Sequence, residues 1–180
     1  MARTSTKVFV LEVMGRHAGW IAAAAGLAGN GPAEPPHIIL FPEVPFDQAA
    51  FLRRVKRNVA DHEYCVVVVS EGARYRDGRL LADSGTTDAF GHKQLGGVGQ
   101  GVAQLVKDKL GFKFHYAIAD YLQRAARHIA SATDVKQAYA VGKSAVELAL
   151  AGRNSIMTTI VRKSDQPYRW TIGEAPLSRV

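Results

Sequence analysis

Three short segments carry side chains suited to recognising an anion or a polyol. Met14-Gly15-Arg16 lies between an apolar run and an alanine-rich stretch. Glycine there lets the backbone approach a ligand, a helix N-terminus offers unpaired N–H groups to an anion, and arginine adds a planar donor fork suited to phosphate. A tight turn with a surface arginine accounts for the same residues at least as well. Ser70-Glu71-Gly72 closes a valine run. A carboxylate at a strand tip can accept hydrogen bonds from sugar hydroxyls, which arginine cannot; a capping or salt-bridging glutamate is equally open. Tyr121-Leu122-Gln123-Arg124 joins a phenol, an amide and a guanidinium that together could orient a phosphorylated sugar, and Arg127 and His128 extend the basic character. Taken singly, such residues occur on any surface turn. Arg74, Arg76 and Arg79 read as loop charges rather than ligands.

Other features carry less chemistry. Gly96-Gly97-Val98-Gly99-Gln100-Gly101 fails the dinucleotide spacing because Val102 occupies the third glycine's place, and it follows no strand. Flexible helix entry or close helix packing is the expected role. The histidines do not fall at zinc-ligand spacings with cysteine partners, so no structural metal site is expected. Neither a G-x-x-x-x-G-K-[ST] loop nor a G-x-S-x-G elbow is present.

The elements that must position the three segments follow from periodicity. Lys7–Val13 reads as a buried strand, Trp20–Leu27 as an alanine-rich helix punctuated by Gly29-Asn30-Gly31-Pro32, and His37–Phe41 as a second strand. Asp47 is placed to cap a helix whose apolar stripe is Leu52, Val55 and Val59; Arg53, Arg54, Lys56 and Arg57 form its solvated face. Cys65–Ser70, polar at neither face, is the expected centre of a parallel sheet covered on both sides. Glu71–Lys93 reads as a long functional loop or a loop with a short hairpin. A helix at Val98–Leu110, a strand at Lys113–Ile118 and a helix at Val135–Leu150 follow, the last opened by Ser131 with Asp134 and closed by Gly152. Ser155–Val161 and Tyr168–Ile172 are two closing strands. The repetition predicts an α/β fold: βαβ units in a three-layer, Rossmann-like, mainly parallel sheet with helices on both faces. Such sheets bind ligands at their strands' carboxyl ends, which selects Met14–His17, Glu71–Arg79 and Ala119–Arg127.

With 180 residues, 47% of them hydrophobic, one domain spanning 1–180 is the default. The composition excludes disordered, collagen-like and disulfide-stapled classes. The single cysteine, Cys65, opens an apolar run and reads as a buried structural residue. No apolar stretch is long enough to cross a bilayer and no signal-peptide core opens the chain, so the expectation is a cytoplasmic protein with no membrane partner. The formal charge of +7 favours anionic partners. Scattered basic residues with few interleaved aromatics favour a small anion over nucleic acid.

Taken in order, these segments resemble one family. Val10-Leu11-Glu12-Val13-Met14-Gly15-Arg16-His17-Ala18-Gly19-Trp20, Pro42-Glu43-Val44-Pro45-Phe46, Ser70-Glu71-Gly72 and Tyr121-Leu122-Gln123-Arg124 resemble successive segments of 6-phosphofructokinases over nearly the whole chain. The resemblance implies the second, fructose 6-phosphate-binding domain of a longer two-domain enzyme. Met14, Gly15 and Arg16 would bind the sugar, Arg16 also acting on the transferring phosphoryl group. Glu71 would hold sugar hydroxyls, and Tyr121, Leu122, Gln123 and Arg124 the ring and 6-phosphate. Lys7 and His115 fall where many relatives place cations that reach the 6-phosphate across a subunit interface, although arginines are commoner there. Tyr121, and Ala125-Ala126 in place of two glycines, look more like the pyrophosphate-dependent branch than the ATP-dependent one. The family's donor-binding glycine loop and its Thr-Ile-Asp-Asn-Asp motif lie upstream of Met-Gly-Arg and do not occur here. The expectation is therefore a chain inactive alone and prone to self-association, part of a homo-oligomeric, Mg²⁺-using glycolytic enzyme that converts fructose 6-phosphate to fructose 1,6-bisphosphate. A non-catalytic sugar-phosphate-binding module remains the alternative.

Overall fold

The computed structural model describes residues 6–31, 33–81 and 97–180, which divide into two compact units, Met1–Gln123 and Arg124–Val180. The first is built on four parallel strands, β1 (Val8–Val13), β2 (Ile38–Leu40), β3 (Cys65–Ser70) and β4 (Phe114–Ile118), in the order β2-β3-β1-β4. Register is set at the centre, where Val8 faces Cys65 on one side and Phe114 on the other.

Alternation along the strands sorts the core into two layers. Val8, Val10, Cys65, Val67 and Val69 pack with residues of α2 (Gln48–His62) and α3 (Val98–Leu110). Val13 and Val68 face the other way and meet Ala22 of α1 (Trp20–Ala25). Helices thus cover both faces of the sheet, as the uninterrupted valine run of β3 predicts. Cys65 is fully buried and its thiol is pushed up to about 12 by desolvation, so it is a neutral core residue.

Local signals hold in detail. Asp47 accepts the Ala50 amide at 2.8 Å and starts α2. The alanine-rich helix is shorter than its composition suggests: α1 ends at Ala25 and tightens into a 3₁₀ turn over Gly26–Ala28, a common way to finish a short helix. Within the Glu71–Lys93 segment, the described part is a tight hairpin closed by a bridge between Arg74 and Leu80. Residues 82–93 of that segment lie outside the described residues, as do Pro32 and Gly96.

The second unit begins within α4 (Leu122–Ala125) and contains α5 (Ala132–Leu150) and the strands β5 (Ile156–Asp165) and β6 (Tyr168–Pro176). Ser131 accepts the Asp134 amide at the start of α5, and Gly152 follows its end at φ +74°. The closing strands are longer than expected and form a separate antiparallel sheet. Only Gln166 and Pro167 join them, too few residues for the crossover that parallel pairing needs. The buried Gln137 amide of α5 donates to the Tyr168 hydroxyl at 2.7 Å.

Candidate functional site

The chain leaves β1 at Val13 and turns sharply. Gly15 has φ +139°, and a Cβ there would lie 2.7 Å from the Ala18 carbonyl oxygen and 2.8 Å from Ser70 Oγ, so a side chain is excluded by both conformation and space. The turn is held on the end of β3. The Gly15 amide donates to Glu71 Oε1 at 3.0 Å, and the Gly15 carbonyl accepts from Ser70 Oγ at 2.5 Å and from the Gly72 amide at 3.1 Å. Arg74 donates to the Arg16 carbonyl at 3.1 Å. Gly72 presses so close that a Cβ would fall 2.0 Å from that same oxygen.

The helix after Arg16 starts where its alanine-rich stretch predicts, but its first amide is already engaged. α1 begins at Trp20, and the amide of its capping residue, Gly19, donates to Glu43 Oε1 at 2.8 Å. A carboxylate from the Pro42–Phe46 segment therefore takes the place foreseen for a ligand anion.

β4 ends beside the same turn, where the Ala119 amide donates to the Glu12 carbonyl at 2.9 Å. Asp120 follows with φ +45°, a conformation that costs an L residue on the order of 1 kcal/mol. Tyr121 and Leu122 are exposed, at 62% and 70%. The Gln123 side-chain amide is buried, with neither its nitrogen nor its oxygen partnered among the described residues. Arg124 opens the second unit.

Glu12, Val13, Met14, Glu71, Ile118, Asp120 and Tyr121 enclose a cavity of about 330 Å³ at the carboxyl ends of β1, β3 and β4. This is the lower end of the size range for small-molecule sites. Its three carboxylates suit hydroxyl donors and repel phosphate, so a sugar phosphate here would present its hydroxyls to them and its phosphate to arginine.

Glu12 belongs to none of the three strand-end segments. It is only 3% exposed and accepts the Gly99 amide at 2.8 Å on Oε2. Burial pushes its carboxyl up; amides of Gly99 and Gly97 pull it back, and the neighbouring charges of Glu71 and Asp120 raise it further. A Cβ on Gly99 would stand 3.1 Å from Glu12 Cβ, which gives the glycine-rich entry to α3 the close-packing role expected of it. The available signal was an ionisable residue inside an apolar run, in phase with Val8 and Val10. Asp120 and Ser70 also lacked a separate signal.

The structure thus gathers Met14, Glu71 and Tyr121 around one cavity, with Gly15 and Arg16 in the turn that follows Met14 and with Leu122 and Gln123 opening the short helix that follows Tyr121. Lys7 and His115 lie elsewhere. Lys7 precedes β1 and His115 pairs with Phe9, towards the amino ends of their strands, about 17 Å and about 10 Å along them from the cavity-lining Glu12 and Ile118 by the strand rise.

Residues 1–149 match the family described as Phosphofructokinase. The chain is 65% identical, over its whole length, to a pyrophosphate–fructose 6-phosphate 1-phosphotransferase of Halomonas elongata and 62% identical to one of Methylococcus capsulatus. It spans 43% of the length of each of these relatives. A crystal structure of a pyrophosphate-dependent phosphofructokinase from Marinobacter aquaeolei superimposes on all of the chain with a TM-score of 0.80 at 60% identity, the chain covering 41% of that protein.

Proposed function

Because the chain belongs to the phosphofructokinase family, we propose that it carries the fructose 6-phosphate site of a phosphotransferase that moves a phosphoryl group from pyrophosphate to the sugar 1-hydroxyl. The observation that carries this reading is the convergence of Met14, Glu71 and Tyr121 on one cavity at the ends of adjacent parallel strands, with Arg16 two residues on from Met14. The pyrophosphate-dependent names of the relatives at 62–65% identity support the choice of donor, with ATP as the alternative.

Within this proposal the backbone of Met14 and Gly15 lies against the sugar and Glu71 accepts from its hydroxyls. The Arg16 guanidinium offsets charge on the transferring phosphoryl, an electrostatic role that such transfers require. Tyr121, Leu122 and Gln123 bear on the ring, and Arg124 on the 6-phosphate. Lys7 and His115 serve the site of another copy, which makes the working protein a homo-oligomer. Fructose 1,6-bisphosphate is the product, in cytoplasmic glycolysis. The described residues include no group of three or more His, Cys, Asp or Glu side chains able to hold a metal, so no step is assigned here to the Mg²⁺ that the family implies.

The test is calorimetric titration with fructose 6-phosphate against glucose 6-phosphate, followed by turnover of the complete protein with pyrophosphate and with ATP. Selective binding with turnover on pyrophosphate is expected. Binding without transfer from either donor would replace the enzyme with a non-catalytic sugar-phosphate module, and failure of the complete protein to bind would sink the site.

A further inference from the structure

Resting on that reading, we propose that Arg74 is a positioning residue that sets the turn bearing Arg16. The Arg16 carbonyl lies outside the hydrogen-bond ladder of α1, whose first helical bond runs from the Ala23 amide to the Gly19 carbonyl. A carbonyl at that place needs a donor from elsewhere. Gly72 shields one side of it, since a Cβ there would come within 2.0 Å. Arg74 supplies the donor at 3.1 Å and points a second, longer contact at the Gly72 carbonyl, 3.4 Å away. One planar guanidinium thus addresses the carbonyls of both the turn and the end of β3, which a lysine ammonium on a flexible stem cannot reproduce.

Arg74 is itself held in place. Its carbonyl accepts the Phe46 amide at 2.8 Å and its backbone bridges to Leu80. The ring of Tyr75 next to it lies against Phe46 and under the Arg79 guanidinium. The hairpin that follows β3 is therefore a rigid bracket that delivers a cationic donor to the backbone of Arg16. Arg74 touches the residue proposed to meet the phosphoryl group and not the cavity lining, so it acts through Arg16.

The experiment compares wild type, Arg74→Ala, Arg74→Lys and Arg16→Ala in the complete protein. It reads turnover and KM for fructose 6-phosphate, thermal midpoint, and hydrogen exchange at the Gly15 and Gly72 amides. Misplacing a group by about 1 Å costs on the order of 100-fold in rate. Arg74→Ala is expected to lose about 10- to 100-fold in kcat, with a KM change several times smaller and faster exchange confined to those two amides. Added guanidinium ion is expected to restore part of both in Arg74→Ala, and neither in Arg74→Lys nor in Arg16→Ala. Wild-type kcat in Arg74→Ala, or a loss that follows the thermal midpoint and ignores guanidinium, would overturn the proposal. If wild type transfers no phosphoryl group, the proposed function fails separately, and the exchange measurement still decides whether Arg74 holds the turn.

Discussion

The Gly15 amide donates to Glu71 Oε1 at 3.0 Å across 56 positions of sequence. One carboxylate oxygen thereby ties the turn after β1 to the end of β3 within the cavity that both line. Glu71→Ala should remove a charge-assisted bond worth about 1.5–3 kcal/mol and weaken fructose 6-phosphate binding by at least about tenfold. Glu71→Gln, which keeps an acceptor, should lose less. Calorimetric titration ranks the three proteins, and equal affinities would show that the carboxylate does not serve the sugar.

Gly15 and Gly101 should respond in opposite directions to alanine. Gly15→Ala meets backbone and Ser70 at under 3 Å with φ +139°, so a loss on the order of 1–3 kcal/mol is expected, together with loss of sugar binding. Gly101 lies inside α3 with nothing within 4 Å of a built Cβ; alanine there should stabilise by about 0.5–1 kcal/mol. Denaturant midpoints at constant slope decide both.

Acid stability should carry the mark of Glu12. Its carboxyl is raised above 4.5 in the folded protein, chiefly by burial. As pH rises from 4.5 through the folded value, the unfolded chain has released a proton that the folded one keeps, so stability falls across that window. Glu12→Gln should flatten that slope. Unfolding free energies measured at closely spaced pH values would show an unchanged slope if Glu12 were not its source.

His37 acts with the opposite sign. Its Nδ1 accepts the Val66 amide at 2.9 Å, and burial, then the charge of His62, push its titration below 6.5. The neutral ring is preferred in the fold, so its contribution is present above pH 6.5 and is lost as pH falls through the lowered value. His37→Asn offers an oxygen to Val66 without titrating, and should remove the decline. The same decline in the variant would assign it to another group.

Arg16→Ala and Arg124→Ala in the complete protein should each lower kcat/KM, the first mainly through turnover, by about 10²-fold or more for a lost contact at the reacting group, and the second mainly through KM. Unchanged constants in steady-state assays would remove both residues from the site.

Much of this architecture was legible in residue pattern alone. The valine run of β3, the Asp47 cap, the limits of α3 and the Ser131 start of α5 are local signals, each readable within a few residues. The antiparallel pairing of β5 and β6 was also available, because even the six residues between the expected strands are too few for a parallel crossover. The partner of Arg74 was not legible in the same way, because the Arg16 carbonyl it meets lies 58 positions away.

By itself the sequence determined the α/β class, the family and the three strand-end segments, since these depend on periodicity, turn chemistry and the order of short motifs. Tertiary structure decided which carboxylates share the cavity, that Glu43 and not a ligand meets the amide before α1, that Gly99 makes room for a buried Glu12, and that Lys7 and His115 stand towards the amino ends of their strands. Each of these is a meeting of side chain and backbone across tens of residues. Only the register of parallel strands brings such groups to one place, and no local pattern encodes that register.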